Sequence, residues 1–148
     1  AEYADRIKAI TEAGIPVVAH VGLTPQSFNT LGGFKVQGKT DASAQKIIDG
    51  AKAVVEAGAF AITLECVPES IAAQITESVD AITIGIGAGN KCDAQVLVWQ
   101  DMAGYSNGFV PKFVKHYANI HDNLLEAFKQ YKEEVANYTF PDKEHTFH

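Results

Sequence analysis

The stretch Phe60-Ala61-Ile62-Thr63-Leu64-Glu65-Cys66 (FAITLEC) decides how this chain folds. It is a short, nearly continuous apolar run entered after Gly58 and left at Pro68, the signature of a buried strand. Successive strand residues point to opposite faces. One parity holds Phe60, Ile62, Leu64 and Cys66, the other Ala61, Thr63 and Glu65. Large residues on one face suit packing against helices. Small and polar residues on the other suit a crowded or functional interior.

Working outward, the same alternation of strand and helix recurs. Upstream, Ala44, Ile47, Ile48, Ala51, Val54 and Val55 repeat at the spacing of one helical face, with Thr40 or Asp41 as the cap and Gly58 as the stop. Before it lie a long Gly-rich loop (24–39), a strand candidate at Pro16–Leu23 and a helix over 2–13 that ends at Gly14 and Pro16. Downstream, a helix opens at Pro68 with Ile71, Ala72, Ile75 and Val79 as its apolar face. Ile82–Ala88 (ITIGIGA) reads as a third strand and Val96–Met102 (VLVWQDM) as a fourth, joined by an irregular link too short for a crossover helix. A helix over Pro111–Tyr138, with Leu124, Leu125, Phe128, Tyr131 and Val135 along one side, and a polar tail complete the chain.

Strands alternating with helices indicate an α/β protein with a parallel sheet, either doubly wound or a barrel. The parity of FAITLEC favours a (β/α) barrel. Extended to ITIGIGA, the same rule turns Ile82, Ile84 and Ile86 toward helices and Thr83, Gly85 and Gly87 toward the barrel axis. A (β/α)8 barrel needs eight strands and about 250 residues, and four strands are legible in these 148 residues. A half barrel leaves two open edges. The chain also begins at Ala1 without an initiator Met, inside a helix. The expectation is one part (residues 1–148) of a single barrel domain that a longer chain completes.

Composition narrows the function classes. Net charge is −6 and charged residues make up 20% of the chain, which argues against a nucleic-acid partner. No apolar run approaches the roughly 18–20 residues of a membrane span. The two cysteines, Cys66 and Cys92, form no CxxC pair and point to a reducing, cytoplasmic setting.

Glu65 is the most informative polar residue. It closes a buried strand just before a helix begins, where a carboxylate faces the catalytic mouth of a barrel and can serve as a general base. A structural carboxylate paired with a nearby cation is the alternative. His20, near the end of the first strand, is either a hydrogen-bonding partner of substrate or carboxylate, or a satisfied core histidine. The run Gly85–Asn90 (GIGAGN) misses the dinucleotide pattern, because Asn90 stands at the third glycine position. Its glycines read instead as backbone access to the mouth. Asp93, Gln100 and Asp101 contact substrate, hold loops or are simply structural. The loop Gly32–Lys39 is a lid with Lys35 and Lys39 for an anion, or a solvated surface loop. His145 and His148 (HxxH), His116, His121 and the cysteines supply no convincing metal-ligand set.

Several runs together resemble the ketopantoate hydroxymethyltransferase family: HVGLTPQSFNTLGGFKVQGK at 20–39, EAGAFAITLECVPESIA at 56–72, IGIGAGNKCDAQVLV at 84–98, PKFVKHYA at 111–118 and FPDKEHTFH at 140–148. Ala94 departs from the family's usual Gly. The resemblance implies the C-terminal half of a (β/α)8 barrel, strands five to eight, completed by an N-terminal half absent from this sequence. It implies transfer of a hydroxymethyl group from 5,10-methylenetetrahydrofolate to 3-methyl-2-oxobutanoate, giving 2-dehydropantoate for pantothenate and coenzyme A synthesis. The family's general base falls on Glu65, and His20 is expected to help position substrate or Glu65. Magnesium is implied as the Lewis acid for the keto acid, its ligands lying outside this sequence, and homo-oligomers, typically large rings such as a decamer, are implied as the assembly. Two rival readings remain: a non-catalytic half-barrel fragment without the metal site, and a related barrel lyase acting on 2-oxo acids.

Overall fold

The computed structural model describes residues 3–27, 29–30 and 33–147. In chain order the elements are α1 (Ala4–Glu12), β1 (Val18–Gly22), α2 (Asp41–Glu56), β2 (Ala61–Glu65), α3 (Glu69–Ser78), β3 (Ile82–Ile86), β4 (Ala94–Gln95), α4 (Trp99–Met102) and α5 (Ile120–Ala136), with a short 3-10 turn at Pro25–Ser27. They fall into two compact units, residues 1–96 and 97–148.

The first unit is a four-stranded sheet whose spatial order follows the sequence, β1-β2-β3-β4, with every pair parallel. One face is covered. Ala19, Ile62 and Leu64 point into a core with Ile48, Ala51 and Val54 of α2 and Ala72 and Ile75 of α3. Ile62, Leu64 and Ile75 are fully buried, and each contributes roughly 1.5–3 kcal/mol of transfer free energy relative to an exposed side chain. The register puts Val18, His20, Ala61, Thr63, Glu65, Ile82, Ile84 and Ile86 on the opposite face. There Val18 and Ile82 remain 50% and 53% exposed, so no element of this unit covers that end of the face.

The sequence signals for α2 act as expected. Thr40 Oγ1 accepts from the Ser43 backbone N–H, and Ser43 Oγ accepts from the Thr40 N–H, a reciprocal capping box. Gly58 follows the helix with φ +102°, a conformation that L side chains avoid. Its neighbour Ala57 offers its carbonyl to Thr11 Oγ1 at 2.9 Å, which ties the end of α2 to α1.

Three expectations are corrected. The parity rule fails for β3: Thr83 and Gly85 face the helices, while Ile82, Ile84 and Ile86 share the open face with Glu65. Thr83 tolerates full burial because its hydroxyl lies 2.9 Å from Thr76 Oγ1 and donates to Asp93 Oδ2. The fourth strand is only Ala94–Gln95, and Trp99–Met102 closes a single helical turn, with the Met102 N–H bonded to the Val98 carbonyl. A short apolar run does not by itself distinguish strand from helix.

The last helix starts at Ile120, not Pro111. In the second unit the Tyr117, Ile120 and His121 N–H groups donate to the carbonyls of Met102, Ala103 and Gly104, so the first N–H groups of α5 and that of Tyr117 before it do not bond back into a helix over 111–119. No residue of α5 is buried, and its stripe from Leu124 to Val135 is exposed. Among the described residues no helix is long and apolar enough to cross a membrane.

Candidate active site at the strand ends

In parallel α/β sheets, ligands gather at the carboxyl ends of the strands. The two residues singled out for chemistry meet there. Glu65 is the last residue of β2, and His20 sits one strand over, two residues below the position paired with Glu65. Both side chains rise from the open face, and His20 Nε2 lies 2.9 Å from Glu65 Oε2. The carboxylate is 14% exposed and the imidazole 38%, so the pair is shielded on the Glu65 side and reachable on the His20 side. With its proton on Nε2, the imidazole donates to the carboxylate.

Gly22 makes this approach possible. It stands directly beside Glu65 in the register with φ +95°, and a Cβ there would collide with the Glu65 carbonyl. The backbone around Glu65 is fully engaged. Its carbonyl accepts from the Leu23 N–H at 2.8 Å. The next residue, Cys66, takes a left-handed φ of 51°, donates to the Ile86 carbonyl at 2.9 Å and accepts from the Gln37 N–H at 2.8 Å. Glu65 is thus the end of a rigid strand whose chain turns away immediately behind it. Burial, with the adjacent Glu65 charge second, pushes the Cys66 thiol up from its ordinary range. That keeps it a thiol and unsuited to act as a nucleophile.

A cavity of about 320 Å³ opens beside His20, between α1, α2 and the end of β1, with Tyr3, Ile7, Gln37, Ser43 and Lys46 among its walls. A wider hollow of about 390 Å³ lies at the opposite ends of the strands, by Phe60, Asp80, Ile82 and Asp93. It is remote from the His20–Glu65 pair.

The other sequence candidates go elsewhere. Asp93 does not reach the mouth. Its carboxylate binds Thr83 near the start of β3, and the Thr83 backbone N–H, then the Thr83 hydroxyl, hold its pKa below the ordinary carboxylate range. Gln100 and Asp101 belong to α4 in the second unit, not to a strand. Two of the glycines in Gly85–Asn90 have a packing role: Gly85 lies under the Gln95 amide, and Gly89 against the Glu69 side chain. Of the loop proposed as a lid, Gly32 is outside the described residues; its later part is anchored through Gln37 to Cys66. His121 and His145 pair with the nearby Asp122 and Asp142, and His148 lies outside the described residues. Among the described residues no three His, Cys, Asp or Glu side chains stand where they could hold a metal ion. The sequence reading missed the part played by Gly22, although a glycine beside two candidate polar residues was a visible signal.

The fold defines an α/β protein with a parallel sheet that carries a His–Glu pair at the carboxyl ends of its strands. The model of the family described as "Ketopantoate hydroxymethyltransferase" matches residues 1–143, and the chain belongs to this family. Relatives named 3-methyl-2-oxobutanoate hydroxymethyltransferase include one from Syntrophus aciditrophicus, 58% identical over 146 residues, covering 99% of this chain and 54% of the relative. Another, from Clostridium acetobutylicum, is 57% identical over 97% of this chain and 52% of its own length. A third, from Rhodococcus jostii, is 58% identical over 97% of this chain and 50% of its own. The chain therefore spans about half the length of the curated relatives it matches.

Proposed function

We propose that this chain is the C-terminal half, strands five to eight, of a single (β/α)8 barrel domain with a helical extension and tail, which transfers a hydroxymethyl group to 3-methyl-2-oxobutanoate in pantothenate synthesis. The strand order supports the barrel. A doubly wound sheet reverses its strand order at a switch point, whereas β1 to β4 run in sequence with α2 and α3 on one face. The half-exposed Val18 and Ile82 fit an interior that further strands enclose.

The observation that carries the function is the 2.9 Å contact between His20 and Glu65 on the open face at the strand ends. Glu65 acts as the general base. It takes the C3 proton of the keto acid, and the electrons of that C–H bond form the enolate. The enolate carbon bonds to the methylene carbon of 5,10-methylenetetrahydrofolate as one of its two C–N bonds to folate breaks. Water then displaces the second nitrogen and supplies the hydroxyl oxygen. Tetrahydrofolate leaves with the proton from water and the proton taken by Glu65 on its two nitrogens. His20 fixes the orientation of the Glu65 carboxylate and lies within reach of substrate. The described residues do not form a magnesium site. Its ligands belong to the barrel's other half. The chain alone is then an inactive half, and the complete protein is a cytoplasmic homo-oligomer, in keeping with the two free cysteines.

Glu65→Gln tests the assignment in a protein that joins this chain to the N-terminal portion of the Syntrophus aciditrophicus relative. Removal of a general base lowers turnover by about 10²–10⁴-fold. Turnover close to that of the unmodified protein would overturn the role given to Glu65.

A further inference from the structure

The link between β3 and β4 is held by side chains where a longer strand would use backbone. Asp93 Oδ2 accepts from the Thr83 backbone N–H at 2.8 Å and from the Thr83 hydroxyl at 2.9 Å. In return the Asp93 N–H donates to Thr83 Oγ1 at 3.1 Å. Thr83 is fully buried, and its hydroxyl is also 2.9 Å from Thr76 Oγ1, itself bonded to the Ala72 carbonyl of α3. The carboxylate thus stands in for a strand against the start of β3. It also pins the register of β4, which adds only Ala94 and Gln95 to the ladder.

That register delivers Gln95 to one place. Its Nε2–H donates to the Gly89 carbonyl at 2.9 Å, so the side chain bridges the turn that leaves β3. Gly89 is wedged on the other side, where a Cβ would come within 2.6 Å of Glu69 Cβ. The near end of the same turn is Ile86, which pairs with Glu65 and whose carbonyl receives the Cys66 N–H at 2.9 Å. The route from Asp93 through Gln95 and the Gly87–Gly89 turn therefore ends on the backbone bond that follows Glu65.

We propose that Asp93 and Gln95 are positioning residues for Glu65: they clasp the Gly87–Gly89 turn and so fix the strand end that presents the carboxylate. The proposal rests on the reading of Glu65 as general base. Neither residue touches the reacting atoms. Their effect is on geometry, to which chemistry is steep, since a displacement of about 1 Å can cost on the order of 10²-fold in rate.

The experiment measures kcat and KM for the keto acid in the chain completed with the N-terminal portion of the Syntrophus aciditrophicus relative. Gln95→Ala removes the Gly89 bond, together with the amide's packing over Gly85, from an exposed position. It should lower kcat about tenfold, with KM within about twofold, the mark of an interaction felt in the transition state and not in substrate binding. Asp93→Ala should give the same split. Asp93→Asn keeps a carbonyl oxygen for the two Thr83 donors and should restore most of the turnover. Gln95→Ala with unchanged kcat overturns the proposal, and so does a loss that falls on KM alone. If Asp93→Ala does not fold, Gln95→Ala and Asp93→Asn decide the matter between them. Failure of the Glu65 reading would look different: Glu65→Gln would then turn over normally. The clasp would then be judged by amide hydrogen exchange at Gly87–Gly89, which Gln95→Ala accelerates if the turn is held as proposed and leaves unchanged if it is not.

Discussion

β2 and β3 are neighbours of equal length, five residues each, in parallel register, yet they turn opposite kinds of side chain toward the helices. β2 presents Ile62 and Leu64 to the core and keeps Thr63 and Glu65 on the open face. β3 presents Thr83 and Gly85 to the helices and leaves Ile82, Ile84 and Ile86 on the open face. Side-chain size alone does not choose the face. On β2 the apolar core chooses it. On β3 the choice follows from hydrogen bonding at Thr83 and from space at Gly85, where the Gln95 amide and Cys92 crowd in. The three isoleucines fall opposite as a consequence, and Ile86, paired with Glu65 in the register, gives the proposed site an apolar flank.

The sharpest way to break this comparison is to truncate one isoleucine on each strand. Ile62→Ala removes a fully buried side chain from the closed core and should cost about 2–5 kcal/mol, read as a shift in the urea midpoint at constant slope. Ile84 lies on the open face and is only partly buried, so Ile84→Ala in this chain should cost less than half as much. Once the chain is joined to the N-terminal portion of a relative, the Ile84 cost should rise toward that of Ile62. An Ile84 cost that stays small would count against a closed barrel interior on that face.

A smaller effect separates the two threonines. Thr83→Val keeps the shape but removes the hydroxyl that lies between Thr76 and Asp93, leaving polar partners unmatched at a buried position. A loss of about 1–3 kcal/mol is expected. Thr63→Val, on the open face of β2 where Thr63 pairs with Ile84, should change stability by less than about 0.5 kcal/mol, as surface substitutions usually do. Equal costs at the two positions, measured by urea unfolding, would remove the reason given for the reversed parity of β3.

Much of this could be read from the residues. The cap at Thr40, the stop at Gly58 and the placing of Glu65 at a strand end all rest on local rules, and local rules are what one sequence exposes. The pairing of His20 with Glu65 was half legible: both sat near strand ends, but their contact depends on the register of two strands and on a glycine between them. The parity of β3 was hidden because its cause is ten residues away, in Asp93. The apolar run VLVWQDM misled for another reason, since its hydrophobicity fits a strand and a helical turn alike. The start of α5 was hidden too, because Tyr117 and the first two residues of α5 give their N–H groups to the carbonyls of Met102, Ala103 and Gly104 and not to a helix upstream.

The smallest effect expected is a pH dependence confined to acid. The Thr83 N–H, and second its hydroxyl, lower the pKa of Asp93 in the folded chain relative to the ordinary carboxylate value. A group whose pKa is depressed on folding adds stability above its unfolded pKa, about 3.9 for Asp. That stability disappears as pH falls through the folded value, because the unfolded chain then takes up the proton first. The contribution is modest, since Asp93 is exposed and water screens it. Asp80 lines the same hollow as Asp93 and is the acidic neighbour to allow for. Asp122 and Asp142, with pKa values lowered chiefly by hydrogen bonds from His121 and His145, lose their partners' support in the same acid range, but they belong to the second unit. A difference measurement isolates the β3 device: unfolding free energy against pH for the unmodified chain minus that for Asp93→Asn. The difference should be flat above about pH 5 and decline below pH 4, while the same subtraction made in the Thr83→Val background should decline less. A difference curve flat throughout would mean that Asp93 holds β3 as a hydrogen-bond acceptor alone, with its charge contributing nothing.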